Sequence, residues 1–192
     1  MATRTANRFG VESQESQAAP DEARAITLLR LGSLDAIDLL YDRYAAALLR
    51  LARYMSGSDS DAEDIVHDVF VGLPKSIRTY REEGRLGAWL SRLVVNRAID
   101  LRRASARRAA LHRIAAAQQI AAADSVVVHD LDMDAAIATL APTLRDVFVL
   151  RAIEGYSHAD IAALLGIRTG TVHVRYFRAV RALRSLLGES EC

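Results

Sequence analysis

The stretch from Gly155 to Arg175 constrains the fold more than any other part of this chain. Ser157-His158-Ala159-Asp160 has the spacing of a capping box, in which the serine side chain accepts from the N–H of Asp160 and the aspartate reaches back. Ile161, Leu164 and Leu165 then recur on one helical face, and Ala162 leaves room for a crossing helix. Gly166 can take the left-handed conformation of a sharp turn. Thr169 suits the N-cap of a third helix, anchored by Val172, Phe177, Val180 and Leu183. Arg168, Thr171, His173, Arg175 and Arg178 remain on its outer side. Two helices joined by a glycine turn, the second opening in small polar residues and continuing in arginines, form the pattern that enters a DNA major groove. Arginine makes paired hydrogen bonds to guanine or to phosphate.

Bulk charge hides this, because the formal total is only +1. Its distribution is uneven. Asp59, Asp61, Glu63, Asp64 and Asp68 crowd one segment, whereas Arg97, Arg102, Arg103, Arg107, Arg108 and Arg113 are opposed only by Asp100. Between Arg168 and Arg184 there are five arginines and no acid. One acidic and two basic patches imply separate surfaces for separate partners.

The single cysteine, Cys192, rules out an intrachain disulfide and a cysteine-based zinc site. No apolar run approaches the roughly 18 residues of a membrane span, and the N-terminus lacks a signal-peptide core. A cytoplasmic protein is expected, with no cofactor and no metal.

The periodicity is helical throughout, and the expected fold is all-α: two small helical domains joined by a linker. Residues 1–22 are polar and read as a disordered tail. Residues 23–108 form the first domain. In it, Gly32-Ser33 separate two helices, with Ser33 as N-cap, and Ser60 or Asp61 caps a helix running to about Leu73. Pro74 should end or kink that helix. A charged loop, Arg81 to Gly87, leads into a helix from Ala88 to about Arg108, with Trp89, Leu90, Leu93, Val94 and Ile99 as core positions. Residues 109–131, rich in alanine, read as a partly helical linker. Residues 132–188 form the second domain, in which Pro142 suits a first helical turn and Gly155 stops the helix carrying Val147, Phe148, Leu150 and Ile153.

In Asp61-Ala62-Glu63-Asp64-Ile65-Val66-His67-Asp68-Val69-Phe70, the apolar residues face inward and Asp64 and Asp68 lie one turn apart outside. Paired carboxylates for acid–base work, or Asp64 with His67 as metal ligands, would need a second ligand cluster or a phosphate loop, and neither is present.

At this point the chain resembles the extracytoplasmic-function (ECF) sigma factors of bacterial RNA polymerase. The resemblance rests on Leu40-Tyr41-Asp42-Arg43-Tyr44, on Asp61 to Phe70, and on Ala88-Trp89-Leu90-Ser91-Arg92-Leu93 with Asn96-Arg97 and Asp100. In the second domain it rests on Leu140-Ala141-Pro142 through Leu187, including Ile161-Ala162, Leu165-Gly166 and Gly170-Thr171-Val172. It covers roughly residues 34–108 and 132–187, in the family's order.

The resemblance implies roles. Asp61, Asp64, His67, Asp68 and Phe70 would dock on the clamp helices of the largest subunit of core RNA polymerase. Arg81, Arg85, Leu86, Trp89, Arg92, Asn96, Arg97, Arg102 and Arg103 would hold the melted −10 element, one base of it flipped out. Arg168, Thr169, Thr171, His173, Val174, Arg175 and Arg178 would read the −35 element of promoter DNA. An anti-sigma factor is implied as regulator. His67 stands where the family often has glutamine, His173-Val174 where it often has lysine-serine, and Val180 where arginine is common. The expected function is promoter-specific transcription initiation, without enzymatic activity of its own. The competing reading is a free-standing helix–turn–helix regulator that binds duplex DNA without polymerase.

Overall fold

The computed structural model describes residues 15–81, 86–115 and 133–187, with side chains for 22–81, 86–107 and 133–187. Eight α-helices make up most of the described residues.

The first lobe is built on α2 (Asp35–Ser56), α3 (Asp59–Ser76) and α4 (Leu86–Ala115), with α1 (Glu15–Arg30) laid across α2. Their apolar stripes meet in one core, where Leu40, Leu48, Met55, Ile65, Leu73, Leu90 and Val94 are almost wholly buried. α1 begins at Glu15, inside the stretch read as a disordered tail. Gln17, Ala18, Ala19, Glu22 and Ala23 favour helix, and Ala25, Ile26 and Leu29 anchor it in the core. Residues 1–14 lie outside the described residues.

The expected caps shift by a residue or two. Ser33 bonds to the Asp35 carboxylate instead of capping α2, whose N-cap position is Leu34. α3 is capped by Ser58, which accepts from the N–H of Asp61 at 3.3 Å, and not by Ser60 or Asp61. Gly57, at φ 76°, ends α2 in the left-handed region and allows the short α2–α3 turn. Pro74 does not end α3 at Leu73. It sits in the last turn, and the helix runs to Ser76 before tightening into a 3-10 turn, Ile77–Thr79. α4 starts at Leu86 and extends past Arg108 into the stretch read as linker, as the run of alanines permits. The remainder of that linker, 116–131, lies outside the described residues.

The second lobe comprises α5 (Met133–Thr139), α6 (Pro142–Phe148), α7 (His158–Leu165) and α8 (Thr169–Leu186). Pro142 opens α6, which widens into a π-helical stretch, Val149–Ile153. The capping box of Ser157 and Asp160 is formed, and Gly166 closes α7 at φ 67°. Arg168, extended at ψ 144°, takes the N-cap position of α8, so Thr169 is the first helical residue and not the cap. Val172, Ala179 and Leu183 anchor α8 against α6 and α7. Phe177, expected among those anchors, is 69 % exposed. The side chain two positions past Arg175 falls on the opposite side of the helix from Val172 and Ala179.

The two lobes are not held apart. α2 packs on α6 and on the π-helical stretch, and the buried residues of both lobes form one continuous cluster.

Candidate functional site

α3 presents one acidic face. Ile65, Val66, Val69, Phe70 and Leu73 are buried, which leaves Asp61, Asp64, His67 and Asp68 exposed along the opposite side. Acids in the first turn also suit the positive end of the helix dipole. Phe70 is a correction: it is 4 % exposed, packed edge-on against Tyr41 with ring centroids 5.0 Å apart. It supports the helix from beneath and offers no docking surface. The apolar groups that do flank the acids are Tyr41 and Val71, both exposed. Sequence reading named Tyr41 only as part of the helix that carries the resemblance and passed over Val71, although Val71 breaks the inward pattern of α3.

The basic face belongs to α4. Leu86 is buried and anchors its start, so it is not a surface contact, and Trp89 is partly buried at 5.2 Å from the Tyr80 ring. Arg81 and Asn96 are exposed; Arg85 lies outside the described residues. Arg92 lies over the Tyr156 ring, 5.9 Å from its centroid. Arg97 pairs with Asp68, its Nε donating at 2.9 Å. The structure thus gathers Arg81, Trp89, Arg92, Asn96 and Arg97 on one lobe, with several already engaged.

On α8, Arg168, Thr169, His173, Val174 and Arg178 are exposed, while Thr171 and Arg175 are partly buried. The His173 ring lies 3.9 Å from the His158 ring on α7. Burial and the charges of His173 and Arg151 hold His158 below the usual histidine range. α8 therefore offers a basic, acid-free face with the exposed apolar side chains of Val174 and Phe177, of a kind that can meet a thymine methyl.

Arg102 and Arg103 sit elsewhere, at the junction of the lobes. Arg102 donates to Asp146 of α6 at 2.5 Å, and Arg103 donates to the Leu164 carbonyl of α7 at 3.1 Å. These two arginines, Asp146 and Arg175 of α8 line one cleft. Elsewhere between the lobes, Glu154 takes a hydrogen bond from Ser91, Tyr156 bonds Arg92, and Tyr54 bonds Asp134. Burial raises the pKa of both Asp146 and Glu154, although neighbouring arginines pull the other way. Arg145, also buried, lies against Gly57, where any Cβ would come within 2.7 Å of its guanidinium. Sequence reading missed this junction. The only available signal was the pair Arg145-Asp146 between the apolar Leu144 and Val147.

Among the described residues, no group of three or more His, Cys, Asp or Glu could hold a metal ion, and no helix is long and apolar enough to cross a membrane.

Residues 40–108 match the Sigma-70 region 2 family and residues 130–183 match Sigma-70, region 4. The chain is 34% identical over 158 residues to the ECF RNA polymerase sigma factor SigM of Mycobacterium tuberculosis, covering 82% of this chain and 80% of that one. It is also 34% identical over 159 residues to the ECF RNA polymerase sigma factor SigE of Mycolicibacterium smegmatis, spanning 79% of this chain but only 62% of that relative's length. Among solved structures, CnrH in complex with the cytosolic domain of CnrY is similar at a TM-score of 0.52 and 27% identity, over 89% of this chain and 99% of that one. The two regions occur in the family's order, one on each lobe. This chain belongs to the ECF sigma factors of RNA polymerase.

Proposed function

We propose that this protein binds core RNA polymerase and directs it to promoters by recognising −35 and −10 elements and stabilising the melted strand. The observation that carries this reading is the pairing, in one chain, of the exposed acidic face of α3 with the acid-free basic face of α8. An acidic face steers and orients docking on a basic protein partner, whereas a basic helix binds phosphate and reads base edges. A regulator acting without polymerase would need only the second.

In this reading Asp61, Asp64, His67 and Asp68 contact the clamp helices of the polymerase, with Tyr41 and Val71 as apolar neighbours. Arg168, Thr169, Thr171, His173, Val174, Arg175 and Arg178 face the −35 duplex. Arg81, Arg85, Trp89, Arg92, Asn96 and Arg97, with Arg102 and Arg103 once freed, serve the −10 strand. The domain limits proposed are 23–108 and 132–188. The chain performs no chemistry itself and works in the cytoplasm. Its relative CnrH is bound by part of another protein, CnrY, and an anti-sigma factor is the corresponding partner for this chain.

Run-off transcription with purified core enzyme on genomic templates tests the reading. Discrete start sites that appear only when this protein is added support it. Specific duplex binding with no core-dependent transcript overturns it.

A further inference from the structure

We propose that Asp146 is an internal latch, a carboxylate of the second lobe that binds Arg102 of the first, shares one cleft with Arg175 of α8, and holds the free chain closed. This rests on the sigma-factor reading above and adds a conformational step to it.

Asp146 is a residue of α6 whose side chain is 8 % exposed, and its charged partner is on the other lobe. Arg102 of α4 binds its Oδ2, and the positive charges of Arg145 and Arg175 also act on it. The carboxylate thus sits where a backbone phosphate would sit between the basic helices of the two lobes, and Arg103 is tied down beside it through the Leu164 carbonyl. Arg102 cannot serve DNA while it serves Asp146.

Geometry makes the closed form inactive for promoter binding. Elements named −10 and −35 lie about 25 base pairs apart, or about 85 Å of duplex at 3.4 Å per pair. A chain of 192 residues folded on one core has a radius of gyration of only about 16 Å. Lobes sharing a core cannot reach both elements, so they must part.

The latch is also built to release. Among the described residues, Oδ1 of Asp146 and Nε of Arg145 are buried without a protein hydrogen-bond partner. A buried ion pair with unmet polar atoms gives back much of its Coulombic gain as desolvation cost. A polymerase surface or a phosphate backbone that offers these arginines better partners can therefore open it.

The test is a distance. Nitroxide labels on Lys75→Cys and Arg181→Cys, both exposed and one on each lobe, with Cys192→Ser, report lobe separation by double electron–electron resonance in the full chain. The unmodified interface should give one short distance population, and Asp146→Ala should shift it to a broad long-distance distribution. Arg102→Gln, whose side chain is one-third exposed, should do the same, and helicity by circular dichroism confirms folding of both. If the closed state is about nine-tenths populated, Asp146→Ala should also lower the concentration giving half-maximal core-dependent transcription roughly tenfold. Unchanged distances in both folded variants overturn the latch. The distance needs neither polymerase nor promoter, so loss of the sigma-factor reading shows separately, as no transcript from the wild-type chain with core.

Discussion

Asp68 on α3 and Arg97 on α4, residues that sequence alone assigns to two different partners, are bound to each other in the folded chain. The pair ties the helix proposed to face the polymerase to the helix proposed to face the −10 strand. Both side chains are close to half exposed, so the bond is worth no more than about 1 kcal/mol and can be exchanged for an external partner.

Replacing Asp64 and Asp68 together by arginine should therefore weaken core association strongly while leaving the fold intact. Arg97→Ala should lower stability by less than about 1 kcal/mol. Thermal melting paired with a core-binding competition checks both, and normal core binding by the double variant would remove α3 from the interface.

On α8, Arg175→Ala should cost about 1–3 kcal/mol of promoter affinity and relax preference at one base pair. Arg178→Ala should weaken binding to all sequences alike and reduce the salt slope by about one. Salt-dependent measurements on core-bound complexes distinguish these; equal loss on every sequence for Arg175→Ala would make it a phosphate contact.

The second lobe depends on its capping box. Ser157→Ala leaves the Asp160 N–H without its acceptor and should destabilise by about 0.5–2 kcal/mol. Leu150→Ala, in a fully buried position, should cost about 2–5 kcal/mol. Denaturant unfolding reads both, and a larger loss for Ser157→Ala than for Leu150→Ala would contradict the packing described.

His158 gives the stability of this lobe a pH dependence. Its pKa is held below the usual value by burial and by the charges of His173 and Arg151. The unfolded chain then binds more protons than the folded one, so stability is full above the ordinary histidine pKa near 6.5 and falls as pH drops through it. Melting temperature should be lower at pH 5 than at pH 8, and His158→Asn should shrink the difference. An unchanged difference in that variant would assign the effect to another group.

What the sequence made legible was mostly local. The capping box at Ser157, the glycine turns at Gly155 and Gly166, and the apolar faces of α3 and α4 depend on residues within four positions of each other, where spacing carries the information. The cap of α3 moved from Ser60 to Ser58 because a run of serines and aspartates offers several equivalent starts, and α8 begins at Thr169 because Arg168 holds extended backbone with no side-chain cap. Phe177 looked like an anchor because periodicity marks apolar residues without saying which face another helix covers. The contacts of Asp146 with Arg102, and of Leu164 with Arg103, join residues 44 and 61 positions apart. No local pattern encodes such pairings, and an arginine reads as a nucleic-acid contact until the structure supplies its partner.

The measurement that bears most directly on the central claim is run-off transcription by core RNA polymerase with and without the purified protein, on a template library covering the source genome. The account predicts discrete transcripts that require the protein and are lost when Asp64 and Asp68 are both arginine. Transcripts that are the same with and without the protein would contradict it.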